Sequence, residues 1–188
     1  MNNAYTFSIY NRFAENGIFE ALNVFNKNKN RPVIVCVGSD LVLGDSLGPL
    51  VGSNLKAMGS NCYVYGTLNA PITAKEIEYL NLYFESVHKN GILIAVDAAV
   101  GDKEEVGLIK VVNKSLSPGL GVNKKLDSIG QISILGVVAQ KSTNNYHLYN
   151  TTRLGMVYKM ANIIANGVFD YLKHFDAQIA QIKVDNAR

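Results

Sequence analysis

Hydrophobic positions along the chain fall into two alternating kinds of run. Val33-Ile34-Val35-Cys36-Val37 is continuous, largely β-branched and closed by Gly38, which suits a strand covered on both faces of a parallel sheet. Leu47, Leu50, Val51, Leu55 and Met58 then recur at intervals of three and four, predicting a helix from about Ser46 until Gly59 stops it. A second strand is expected near Cys62–Thr67. A second helix is announced by Thr73-x-x-Glu76, with Ile77, Leu80, Phe84 and Val87 on its buried face. Gly91 opens a third strand, Ile92–Asp97, which ends on its aspartate. Further apolar runs at Leu108–Val112 and Ile132–Ala139 read as strands.

The flanks are read from the same periodicities. Ile18, Phe19, Leu22 and Phe25 have helical spacing before the polar run Asn26–Asn30, and a long terminal helix carries Leu154, Val157, Met160, Ile164, Val168 and Leu172. The last dozen residues lose the pattern and are expected to fray. Strands alternating with amphipathic helices predict one α/β domain over 1–188, core about 15–175. It is a three-layer α/β/α arrangement around a mostly parallel sheet of about five strands. No internal repeat or second domain is visible.

Composition narrows the class. The chain has 188 residues, 48% hydrophobic and 18% charged, with a formal net charge of +3. That profile fits a compact domain able to bury about 70% of its unfolded surface without disulfide or metal. The basic excess forms no stripe, so nucleic acid is not an expected partner. Cys36 and Cys62 sit inside apolar runs and look like core residues, not a metal or redox pair, which favours a reducing, cytoplasmic setting. No leader pattern and no span of about 18 apolar residues occurs, so no membrane association is expected.

In an open α/β sheet the active crevice lies beyond the carboxyl ends of the strands. Asp45, at the junction of the Gly38–Gly44 turn with a helix, and Asp97, after a strand, can both project there. Two carboxylates in a partly dry site do not both ionise easily, so one keeps its proton and the pair can serve as base and acid toward water. Each has a plainer reading, Asp45 as a helix N-cap and Asp97 as a turn residue. The glycines fit neither the dinucleotide fingerprint nor the Walker A loop. They let the backbone turn sharply and bring amide donors beside Asp45 for a substrate carbonyl or oxyanion. His88, His147 and His174 read as surface residues without ligand spacing, Ser46 and Ser133 lack a nucleophile-elbow context, and no metal or other cofactor is expected. Lys124 and Lys125 read as a solvated loop that could contact a peptide if it folds over the crevice.

The stretch Val37-Gly38-Ser39-Asp40-Leu41-Val42-Leu43-Gly44-Asp45-Ser46-Leu47-Gly48-Pro49-Leu50, with Ile94-Ala95-Val96-Asp97-Ala98 and Pro118-Gly119-Leu120-Gly121-Val122-Asn123-Lys124, resembles the spore protease YyaC family of sporulating Firmicutes. It is more distantly similar to the germination protease of small acid-soluble spore proteins and to hydrogenase maturation proteases. The resemblance implies a phosphorylase/hydrolase-like fold and an atypical aspartate-dependent endopeptidase, with Asp45 and Asp97 catalytic. It further implies substrate contacts from Gly38, Ser39, Asp40, Gly44, Asn123 and Lys124. Spore proteins become expected substrates, in the cytoplasm of the mother cell or forespore. The hydrogenase maturation proteases add a histidine for nickel recognition, and none occurs here between His88 and His147. A non-catalytic binding or assembly protein and a metal-dependent hydrolase are the rival readings.

Overall fold

A computed structural model of the chain describes residues 3–117, 127–141 and 152–185. Six strands form one sheet in the order β1-β5-β6-β4-β2-β3. These are β1 (Ala4–Ser8), β2 (Arg31–Cys36), β3 (Tyr63–Tyr65), β4 (Gly91–Gly101), β5 (Leu108–Val112) and β6 (Ile132–Gln140). The run β6-β4-β2-β3 is parallel throughout, and β5 and β1 add antiparallel to its edge. The four α-helices are α1 (Ala14–Phe25), α2 (Leu47–Ala57), α3 (Ile77–Val87) and α4 (Leu154–Asp185).

Alternation along the central strands sorts the core into two layers. Ile92, Ile94, Val96 and Ala98 of β4, with Ile34 and Cys36 of β2, join the larger cluster under α1, α2 and α4. Leu93 and Ala95, with Val33, Val35 and Val37, face Ile77 and Phe84 of α3 and the bridge of Leu116 to Ile129. The three-layer reading therefore holds, unevenly loaded. Asn54 of α2 donates to Asn162 of α4 at 2.8 Å, a polar tie between two helices of the heavier layer.

The mostly parallel sheet of about five strands is present with six, because Ala4–Ser8 pairs with β5 and lays Tyr5 and Phe7 against the core ahead of residue 15. Three expectations are corrected. The Thr73–Glu76 segment is a turn, with both the Thr73 amide and hydroxyl donating to Glu76 Oε2, and α3 starts only at Ile77. The terminal segment stays helical to Asp185, since side-chain pairs one turn apart, such as Gln181 with Asp185, sustain a helix without burial. Finally, β4 runs four residues past Asp97, which stands inside the strand and not at its end.

The close approach of α2 to the sheet explains why a glycine opens its first turn. A Cβ on Gly48 would lie 2.0 Å from the Val37 carbonyl oxygen. Gly48→Ala is expected to cost about 1–3 kcal/mol through this backbone overlap. Gly155→Ala on α4, where a Cβ meets nothing within 4 Å, should stay within about 1 kcal/mol of the parent. Urea unfolding of the two variants checks the contrast.

Candidate active site

The site lies where strand connections reverse direction. The chain leaves β2 through α2 to β3 on one side, while from β4 it goes on to β5 and β6 on the other, so β2 and β4 flank the topological switch point. Ligands of open α/β sheets bind at that place. Asp45 follows β2 and Asp97 lies in β4, one on each side of it.

Local backbone geometry sets Asp45. After Val37 bridges Ile72, Gly38 turns the chain with φ +141°, and its amide donates to the Ile72 carbonyl at 2.8 Å. A Cβ there would meet the Asp45 carbonyl oxygen at 2.1 Å, so the turn closes tightly on the residue it presents. The Ser39 amide donates to that same oxygen at 3.1 Å. Residues Leu43–Ser46 wind as a 3-10 turn that leads directly into α2. The N-cap position of α2 is Ser46, whose side chain makes no cap and instead donates to the Leu43 carbonyl at 2.7 Å. The simple N-cap reading of Asp45 thus has no support in the hydrogen bonding.

Asp97 is set by the sheet. The β2–β4 ladder ends with Cys36 opposite Val96, while β6 goes on pairing with β4 as far as Gly101. Asp97 is the first β4 residue beyond the last partner on the β2 side. One of its carboxylate oxygens accepts from the Ala98 amide at 2.8 Å. The side chain is buried, 8% exposed, whereas Asp45 is half-buried.

These surroundings act on both carboxyls in one direction. Burial raises the Asp97 pKa well above its ordinary value, the nearby Asp45 carboxylate raises it further, and the Ala98 amide offsets part of the rise. Burial also raises Asp45, with the Ser39 amide opposing it. The first proton therefore leaves Asp45, the better solvated of the two, and its charge helps hold the other on Asp97.

The other residues singled out in the sequence divide. Gly38 and Gly44 are buried in the turn, Ser39 is half-buried and Asp40 is exposed on its rim. The amides of Gly38 and Ser39 serve Ile72 and Asp45, that of Leu41 donates to Ser39 Oγ, and that of Asp45 to Val42. Fewer of the turn's donors are open to a substrate than the glycine pattern suggests. Asn123, Lys124, Lys125 and His147 lie outside the described residues. His174 is exposed, but His88 is half-buried among Tyr63, Tyr65, Tyr83 and Phe84, with its Nε2 2.9 Å from the Tyr65 hydroxyl. It lines a groove of about 430 Å³ with Glu85, Lys89 and Gln131 at the amino end of β4, away from the aspartates. That aromatic packing had no signature in the spacing of the histidines. Among the described residues no three His, Cys, Asp or Glu side chains converge as a metal site, and no helix is long and apolar enough to cross a membrane.

Comparisons with known proteins bear on the family and the fold. A family model described as "Protein of unknown function (DUF1256)" matches residues 6–167. The chain is 41% identical over 137 residues to "Uncharacterized protein YyaC" of Bacillus subtilis (strain 168), covering 72% of this chain and 67% of the relative. Its fold is similar to that of a [NiFe] hydrogenase maturation protease, HycI from Thermococcus kodakarensis KOD1. The TM-score is 0.52 at 16% identity, over 81% of this chain and 98% of that one.

The raised carboxyls make stability fall with pH. A group with a raised folded pKa contributes stability that is full below its unfolded value, near 3.8 for aspartate, and lost as pH climbs through the folded value. Asp97→Asn removes this dependence. Its unfolding free energy relative to the parent should therefore increase steadily as pH is raised from 4, measured as urea midpoints across the range. A difference that stays flat would contradict the burial of an ionisable Asp97. In Asp45→Asn the Asp97 carboxyl should titrate lower than in the parent, followed by carboxyl carbon NMR.

Proposed function

We propose that this chain, which belongs to the DUF1256 family, is a peptidase in which the Asp45–Asp97 pair activates water against a peptide carbonyl. The observation that carries the reading is the convergence of two carboxyls of unequal burial at the switch point of the sheet, close enough that the charge on one raises the other. The likeness of fold to a maturation protease supports the same class.

The roles follow from the inequality. Asp45, ionised and half-buried, takes a proton from water as the oxygen attacks the carbonyl carbon. Asp97, which keeps its proton, donates it to the amine nitrogen as the carbon–nitrogen bond breaks. The products are a carboxylic acid and an amine, and a proton passing from Asp45 back to Asp97 restores the starting state. Amides of the Gly38–Gly44 turn not already engaged stabilise the oxyanion. Substrates are proteins or peptides, with spore proteins the first set to test and the cytoplasm of mother cell or forespore the setting, both taken from the motif resemblance.

Asp45→Asn and Asp97→Asn are each expected to lower cleavage by about a hundredfold or more while leaving the far-ultraviolet dichroism unchanged. The measurement is peptide-bond hydrolysis of spore protein extracts and unstructured peptides, resolved by mass spectrometry. Full activity in both variants would defeat the aspartate mechanism. Stable complexes without any cleavage would select a binding or assembly role, and activity abolished by a chelator and restored by one metal would select a metal-dependent hydrolase.

A further inference from the structure

Among the described residues, no strand pairs with the β2-side edge of β4 beyond Val96, beside the aspartates. The Val37 amide donates to the Val96 carbonyl at 2.8 Å, so Val96 points its main-chain groups toward β2. Alternation then points those of Ala98 the same way, and although the register with β6 shifts between Ala99 and Val100, the Val100 side chain packs against the same core cluster as Val96 and Ala98, so its main-chain groups keep that parity. The carbonyl of Gly101, of the opposite parity, accepts from Lys141 at 2.6 Å on the β6 side, which agrees with this assignment. By that level β2 has left the sheet. The Ala98 amide turns to Asp97. Among the described residues no strand pairs with Ala98–Val100 on the β2 side, since the β2 register ends at Val96 and these residues pair only with β6.

The gap has the shape of a missing strand. On its far side the chain after β3 is held to Val37 and Gly38 through Ile72, in the position a neighbouring strand would take. Two strand spacings, about 10 Å, separate such flanks when one strand is absent between them. A donor and acceptors repeating every second residue are complementary to the main chain of an extended polypeptide, and to few other ligands. Edge groups left this way are the ordinary template for strand addition.

We propose that the free edge of β4 over Ala98–Val100 takes an extended polypeptide as an added strand, which carries one of its peptide carbonyls to Asp45 and Asp97. Recognition is then by main chain, so the substrate class is an unfolded or extended segment with loose side-chain requirements, not a folded surface. The delivery of a scissile bond rests on the peptidase reading, but the docking does not.

The test uses full-length protein carrying Asp45→Asn, so that nothing is consumed, and a pool of dodecapeptides of randomised sequence. Hydrogen–deuterium exchange at the Val100 amide should slow about tenfold in excess pool. It should not change with the same pool N-methylated at every peptide bond. Adding Val100→Pro, which removes one edge donor at a position where proline is tolerated, should weaken binding of fluorescein-labelled pool about tenfold with unchanged dichroism. Unaltered Val100 exchange, or equal binding by the proline variant, overturns the proposal. Slowed exchange in a protein whose parent cleaves nothing would keep the docking and remove the peptidase reading. Cleavage by the parent without slowed exchange would do the reverse.

Discussion

The site depends on one mismatch of length: β2 stops opposite Val96, while β4 and β6 continue together to Gly101 and Gln140. A strand that outlives its neighbour must do something with the main-chain groups on the abandoned side, because buried unpaired amides cost free energy. Here the first of them, the Ala98 amide, is taken by the carboxylate one residue earlier. Asp97 thus ends the ladder, and by doing so it is held at the mouth of the gap that β2 leaves. The same departure of β2 creates the turn that brings Asp45 back to the gap.

That placement explains the electrostatics without any special partner. Among the described residues no cation pairs with Asp97; its surroundings are the sheet, the Ala98 amide and the Asp45 carboxylate. A buried acid with one amide donor and a like charge nearby is stabilised in its protonated form, because one hydrogen bond does not replace the hydration lost. Burial raises Asp45 as well, but it stays half-exposed at the start of α2 and the Ser39 amide opposes the rise, so it is the one that ionises first. The asymmetry in protonation is therefore a consequence of where each backbone segment runs.

Much of this was legible in the sequence, and the losses have physical causes. The run Val33–Val37 and the periodic Leu47–Leu55 segment specify β2 and α2 because Ile34 and Cys36 share a core cluster with Leu47, Val51 and Leu55 while Val33, Val35 and Val37 face α3, so pattern and packing agree. The strand β1 was missed because five residues with alternating exposure on a sheet edge carry little hydrophobic signal. The Thr73–Glu76 pair has the right spacing for a cap, yet the same side-chain bond also closes a turn, and only the position of Ile77 decides between them. Asp97 was found as a residue but misplaced within its strand. A polar side chain following five apolar ones looks like an ending, and the pairing that carries β4 onward comes from β6, about forty residues later in the chain. The convergence of Asp45 and Asp97 could be anticipated from the switch-point rule, whereas their unequal burial could not.

The open edge and the acid pair are best understood as one device. An added strand along Ala98–Val100 would satisfy the remaining groups of β4 and at the same time cover the half-exposed side of Asp45. Water would leave the gap except where the two carboxyls hold it, and their interaction would strengthen as the local dielectric falls. The proton on Asp97 would then be held more firmly in the presence of substrate than in its absence, until a developing amine leaving group offers a stronger base. An extended chain would in this way complete both the sheet and the catalytic environment. Because β2 ends its pairing opposite Val96, the place where such a strand would add is, among the described residues, the place where the buried Asp97 and the half-buried Asp45 meet.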